Sequence, residues 1–234
     1  MFSYYGSKSK IVDYYPPPKY SKIIEPFAGS ARYSLKYFDR DITLIDKYDV
    51  IVRIWNWLKV ASKNDILSIP EPKIRQVIKR EDYDCEEMFL LMSFVIKSGT
   101  AIPAYKVCSN RGEDGQISDI LKNIANQLFK IRHWNIKQGD YRELINEDQT
   151  WFIDPPYQFG GDRYKESNKK INFIELGEWC KSRRGQVIVC ENTKANWLPF
   201  LPMIDMRGTM YKTTEAIWSN HKTNYDYVQQ RIFI

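Results

Sequence analysis

The chain has 234 residues, 43% of them hydrophobic and 27% charged, which suits one large domain, or one domain with an insertion, folding without disulfide staples. Its longest apolar run, Phe89 to Ile96, is broken by Ser93 and falls far short of the ~20 residues of a membrane span. Met1 to Lys10 lacks the apolar core of a secretory signal, so a cytoplasmic protein with no membrane partner is expected. Cys85, Cys108, Cys180 and Cys190 are widely spaced, with only His133 and His221 to help, which argues against a zinc site and a disulfide framework. A formal charge of +6 and a pI near 9.0 favour a polyanionic partner.

In chain order, Pro16, Pro17 and Pro18 interrupt any helix and close a short N-terminal arm. A strand, Lys22 to Glu25, leads into Pro26, Phe27, Ala28, Gly29 and Ser30, then into a helix-like stretch carrying Leu35 and Phe38. A second strand, Ile42 to Ile45, ends at Asp46. Strand, glycine turn, helix, strand, acid is the grammar of a nucleotide-binding α/β unit. From about Asp49 to His133 helical spacing takes over, in Cys85, Met88, Phe89, Met92, Val95 and Ile96, and again in Ile117, Ile120, Leu121, Ile124, Leu128 and Ile131. Between them Ser98 to Ser118, with Lys106 and Arg111, reads as an exposed loop. Strands resume at Trp134–Gln138, Thr150–Ile153, Gln186–Cys190, Met203–Met206, Glu215–Ser219 and Tyr225–Ile234, the last two suggesting a terminal hairpin. Roughly eight strands are therefore expected.

The strongest local signal is Asp154, Pro155, Pro156, Tyr157, directly after the run Thr150 to Ile153, at a strand's carboxyl end, where an open α/β sheet keeps its active site. Two prolines remove two backbone donors and leave carbonyl oxygens and a carboxylate as acceptors around one spot. Such a spot suits a planar amino group, with the Asp154 carboxylate and the Pro155 carbonyl accepting its hydrogens while the Tyr157 ring stacks on the attached base. Alone, the same string is also an ordinary strand-ending turn. The second signal is Glu25 to Ser30, followed about 17 residues after Gly29 by Asp46. The glycine lets backbone approach a ligand, and the acid can accept from both ribose hydroxyls. Gly29 is the turn's one glycine, so a dinucleotide fingerprint and NAD are disfavoured.

In this motif order the sequence resembles the Dam-like class of S-adenosylmethionine-dependent methyltransferases that act on N6 of adenine in DNA. The family's N-terminal aromatic-x-Gly-x-Lys element resembles Tyr4, Tyr5, Gly6, Ser7, Lys8, and its Glu-Pro-Phe-x-Gly cofactor loop resembles Glu25 to Gly29. Asp46 resembles its ribose-binding acid, Asp140 and Tyr141 after Gly139 its adenine-facing acid element, and Asp154 to Tyr157 its catalytic Asp-Pro-Pro-Tyr. Glu191 and Asn192, and Ile217, Trp218, Ser219 and Asn220, match its later motifs more loosely. The resemblance implies an α/β fold with a Rossmann-like AdoMet-dependent methyltransferase sheet. Residues 1–48 and 134–234 would form the catalytic domain, and residues 49–133 a helical DNA-recognition insertion. It also implies S-adenosylmethionine as cofactor, held by Tyr4, Lys8, Glu25 to Ser30, Asp46, Asp140, Tyr141 and Asp154, no metal, and DNA as partner. A restriction endonuclease acting on the same site without direct contact fits that family as well. One departure is Ala31, followed by Arg32, where the family often has a second glycine; it bears on the contacts of the cofactor's methionine moiety.

DNA contact is expected from Lys106 and Arg111 in the insertion and from Arg163, Lys165, Lys169 and Lys170, which follow Tyr157 within one loop. His133 and His221 lack partners at ligand or triad spacing and read as structural, as do Trp55, Trp57, Trp134, Trp179 and Trp197. Lys181, Arg183 and Arg184 read as a solvated helix end complementing its dipole. The rival readings are methylation of RNA or of cytosine N4, and a DNA-binding module of the same fold that has lost catalysis.

Overall fold

A computed structural model describes residues 1–109, 116–207 and 212–223. Its centre is a seven-stranded sheet in the order β3-β2-β1-β4-β5-β7-β6. The strands are β1 (Lys22–Glu25), β2 (Asp41–Asp46), β3 (Asn135–Gln138), β4 (Gln149–Ile153), β5 (Gly185–Asn192), β6 (Leu201–Arg207) and β7 (Lys212–Ser219). Strands β1 to β5 are mutually parallel, and β7 enters antiparallel between β5 and β6. The mixed α/β fold is the Rossmann-like methyltransferase sheet expected from the motif order. The antiparallel hairpin is β6–β7; the expected strand Tyr225–Ile234 lies outside the described residues.

Alternation along the strands divides the core. Ile23, Phe152, Ile188 and Cys190 face one layer, while Ile24, Trp151, Ile153, Val187 and Val189 face the other. The second layer is covered by α6 (Phe173–Ser182) through Leu176 and Cys180. The first layer takes α1 (Arg32–Lys36), α2 (Asp49–Val60), α4 (Glu86–Val95) and α5 (Gln116–Gln127). Helix α1 is short and ends before Phe38. Helix α2 buries Ile51, Val52, Ile54, Trp55 and Leu58, a stripe at three- and four-residue spacing, and runs as the crossover from β2 toward β3. The apolar residues of α4 and α5 belong to the same continuous cluster as those of α2 and the sheet. Short α3 (Lys63–Leu67) begins at a capping box in which Ser62 and Asp65 bond each other's backbone.

The described residues of Ser98–Ser118 fit the expected exposed loop only in part: Ser98, Gly99, Ile102, Tyr105, Lys106 and Ser109 are exposed, but others are not. Thr100, Ala101 and Val107 are buried, and residues 105–107 pair with residues 76–78. The Ile78 N–H donates to the Tyr105 carbonyl at 2.8 Å and the Val107 N–H to that of Gln76 at 3.0 Å. Helix α5 already begins at Gln116. Polar composition marked the segment as loop, but backbone pairing with a distant segment leaves no local pattern. All four cysteines are free. Trp55 and Trp134 are fully buried core, and His133 bonds the Arg40 carbonyl through Nε2. Among the described residues no helix is long and apolar enough to cross a membrane.

Candidate active site

Parallel strands end on the same edge, so Glu25 (β1), Asp46 (β2), Gly139 and Asp140 (after β3) and Asp154 (after β4) converge without being near in sequence. They line one cleft of about 1130 Å³, counting its open mouth. Tyr4, Lys8, Glu25 to Ser30, Asp46, Asp140, Tyr141, Asp154 and Pro156 all face it, as do Ala31, Arg32, Tyr164, Glu166 and Lys170. Pro155 and Tyr157 adjoin it in the chain without lining it.

The glycine turn is built from both sides. The Ala28 N–H donates to the Ile45 carbonyl, the Gly29 N–H to Asp46 Oδ2 at 3.0 Å, and Trp55 Nε1 to the Gly29 carbonyl at 2.9 Å. Gly29 has φ 45°, and a Cβ there would lie a tight 3.1 Å from the Tyr4 ring, so both conformation and space favour glycine at this turn. Ala31 also has φ 45° and ψ 46°, a left-handed backbone at the position where the family often has glycine. Asp46 Oδ1 accepts from the Tyr48 N–H at 2.9 Å. Burial pushes the Asp46 carboxyl up to about 6, against the pull of these two amides. Burial raises Glu25 to about 8, opposed by its bond from the Ser34 N–H at 2.7 Å. Glu25 therefore holds a proton at neutral pH.

The far end of the cleft is closed by the Phe27 and Tyr141 rings, 5.6 Å apart, with Trp179 edge-on to Tyr141. Asp140 lines this end but is gripped by the Arg142 fork at 2.8 and 2.7 Å and by Lys47 at 3.1 Å. The Arg142 hydrogen bonds hold its carboxyl well below the usual range.

At the Asp154–Tyr157 motif, Lys8 Nζ lies 2.7 Å from Asp154 Oδ1, 3.8 Å from Glu215 Oε1 and 4.8 Å from the centre of the Tyr157 ring. Burial raises Asp154 to about 6 while Lys8 opposes it. Burial works against the charge of Lys8, but Asp154 and Glu215 outweigh it and hold the amine above the ordinary lysine range. Both groups are thus ionised at neutral pH. Glu215 Oε1 accepts from the Tyr15 hydroxyl at 2.5 Å and also from the Tyr157 hydroxyl.

Glu215 carries no motif. It lies in β7, and because β7 is antiparallel, register sets it opposite Asn192, at the carboxyl edge of the parallel strands. Glu191, at the end of β5, accepts from the Gln158 N–H at 2.5 Å, the Asn192 N–H at 2.8 Å and Trp197 Nε1 at 3.2 Å, and so fixes the loop leaving Tyr157. Asn220 bonds the Val187 N–H and the Gly185 carbonyl, a sheet-end role away from the cleft.

That loop closes over the N-terminal arm. The Tyr164 hydroxyl donates to the Tyr5 carbonyl at 3.1 Å, and a Cβ on Gly6 would collide with it. Arg163 stacks over the Tyr5 ring at 5.5 Å, Lys165 and Lys169 are exposed beside it, and Lys170 pairs with Glu166 at 3.0 Å. Lys106 is exposed on the 105–107 segment and does not line the cleft, and Arg111 lies outside the described residues. Lys181 pairs with Glu178 and Arg184 with Asp148, while Arg183 stacks on Trp179, which fits a helix end.

The donor set fits S-adenosylmethionine: a glycine cradle beside a ribose-height carboxylate, an aromatic end for a purine, and an ionised carboxylate for a cationic sulfur. No family model and no curated protein matches the chain. Among solved structures, it is similar to one described as "Putative methyltransferase yhhF from Escherichia coli", at 10% identity and a TM-score of 0.35, covering 90% of this chain and 78% of that one. A second is a "conserved hypothetical protein" of Streptococcus pyogenes, at 11% identity and a TM-score of 0.32, covering 86% and 88%. Both similarities are remote, and the fold class is carried by the strand order and register of the sheet itself.

Proposed function

We propose that the chain is an S-adenosylmethionine-dependent amino-methyltransferase acting on N6 of a flipped-out adenine in DNA. The observation that carries the reading is the meeting, at one sheet edge, of the Asp154–Tyr157 motif with the cleft built by Glu25 to Ser30 and Asp46. Tyr4, the Glu25–Ser30 turn, Asp46, Phe27 and Tyr141 would hold the cofactor. When bound, it supplies an electrophilic methyl group on a positively charged sulfur.

The chain's own work is to hold and polarise the amine. Asp154, ionised at neutral pH, accepts one N6 hydrogen, stabilises the positive charge that develops on nitrogen and takes part in removing the proton that the methylated nitrogen sheds, and the Pro155 carbonyl accepts the other hydrogen. The Tyr157 ring supplies the stacking surface for the extruded base, and its hydroxyl is tethered to Glu215. No covalent bond to the protein is required. The basic loop Arg163–Lys170 beside the cleft mouth, and the paired segments 76–78 and 105–107 with Lys106, supply phosphate and groove contacts.

The test is transfer of labelled methyl from S-adenosylmethionine to mixed-sequence DNA and to RNA. Label in DNA is the expected result. Label confined to RNA would move the substrate class, and no transfer to either would favour the binding-module reading.

A further inference from the structure

Among the described residues, five cationic side chains line the cleft: Lys8, Arg32, Lys47, Arg142 and Lys170. Four are already neutralised, Lys8 by Asp154 and Glu215, Lys47 and Arg142 by Asp140, and Lys170 by Glu166. Arg32 is different. Its Nε donates to Ser7 Oγ at 3.0 Å and its Nη2 to the Phe2 carbonyl at 2.9 Å and the Met1 carbonyl at 3.4 Å, all neutral partners. Among the described residues no carboxylate pairs with it and Nη1 makes no hydrogen bond; burial alone lowers its pKa. A half-buried guanidinium with an unused nitrogen and no counter-charge, facing a ligand cleft, is a site for an anion.

We propose that Arg32 binds the carboxylate at the amino-acid end of the cofactor; this rests on the reading that the cleft holds S-adenosylmethionine. Lys8 is a poor alternative, because an incoming carboxylate there would meet Asp154 and Glu215. Asp154 instead favours the cationic sulfur, so Asp154 and Arg32 together orient the ligand by charge. Arg32 directly follows Ala31, at the start of α1, so the glycine turn delivers the backbone cradle and the cation together.

Calorimetry with S-adenosylmethionine and with its decarboxylated form, on wild type, Arg32→Gln and Arg32→Lys, tests the assignment. The ratio of the two affinities should fall by about 10-fold or more in Arg32→Gln, and much of it should be retained in Arg32→Lys. An equal loss for both ligands in Arg32→Gln would mean that Arg32 only anchors the arm, and would overturn the assignment. So would a wild type that binds the decarboxylated form as tightly as the intact one, a result independent of how any variant folds. A wild type that binds neither ligand would overturn the cofactor reading itself and this assignment with it, whereas intact binding with an unchanged ratio would overturn the assignment alone.

Discussion

Lys8 and Asp154, 146 positions apart in the chain, form an ion pair at 2.7 Å that joins the N-terminal arm to the end of the fourth strand. The pair has two consequences for the proposed chemistry. It holds the Asp154 carboxylate in one orientation, and it offsets the burial that would otherwise favour the neutral acid.

Methyl transfer should therefore fall as pH drops through about 6, because protonation removes the negative charge with which Asp154 polarises the target amine. Lys8→Met removes the cation that opposes burial, so its acid limb should move to higher pH. Single-turnover rates across pH 5 to 8 check both statements. An acid limb unmoved in Lys8→Met would show that the limb does not report Asp154.

Glu215 should act through Tyr157. Glu215→Ala leaves the buried Tyr15 hydroxyl and the Tyr157 hydroxyl without their acceptor, at about 1–3 kcal/mol for each group left unsatisfied. Denaturant unfolding should register that loss. Tyr157→Phe keeps the ring and should retain much activity, whereas Tyr157→Ala loses a stacking surface of ~1–3 kcal/mol. Equal activity in the Phe and Ala variants would remove stacking from the account.

The contrast between Glu215 and Asp154 explains what was legible in the sequence. Asp154, Gly29 and Asp46 follow short apolar strands and sit in turns with constrained chemistry, so their place at the carboxyl edge could be read from strand and turn grammar. Glu215 reaches the same edge only because β7 runs antiparallel with Asn192 opposite it, a register that local patterning does not encode. The Arg142 fork on Asp140 was hidden for a related reason: a carboxylate's spacing says nothing of which cation will hold it. The pairing of residues 76–78 with 105–107 reaches across nearly thirty positions that include helix α4, so no local pattern announces it within a stretch expected to be a solvated loop.

Ala31 stores backbone strain. An L-residue in the left-handed region costs roughly 1–2 kcal/mol, partly offset by the smaller unfolded-state entropy of alanine relative to glycine. Ala31→Gly should therefore be neutral or stabilising by up to about 1 kcal/mol. Ala31→Val, β-branched at a buried left-handed site, should be strongly destabilising. Urea midpoints of the two variants decide it, and a marked destabilisation by glycine would contradict the strain.

The raised carboxyls should each make the stability of the unliganded protein decline with rising pH, against the buried Met1 amine, which burial lowers to about 5 and which acts in the opposite sense. Glu25 keeps its proton up to about 8 in the folded state but releases it near 4.5 when unfolded, so its contribution is full below 4.5 and lost as pH rises through 8. Asp46 and Asp154, raised to about 6, and Glu191, to about 7, act in the same direction at lower pH. Between pH 7 and 8.5 Glu25 is the main contributor among these four. Glu25→Gln preserves an acceptor for the Ser34 N–H and should remove the Glu25 part of the slope, so that over that interval the unfolding free energy falls less, or rises more, with pH than in wild type. A slope unchanged from wild type would assign it to other groups.

The most direct test of the central claim is nucleoside analysis by mass spectrometry of DNA treated with wild type and with Asp154→Ala in the presence of S-adenosylmethionine. The account predicts N6-methyladenine from the wild type and a rate at least ~100-fold lower from Asp154→Ala at unchanged fold. N4-methylcytosine as the product, or undiminished transfer by Asp154→Ala, would contradict it.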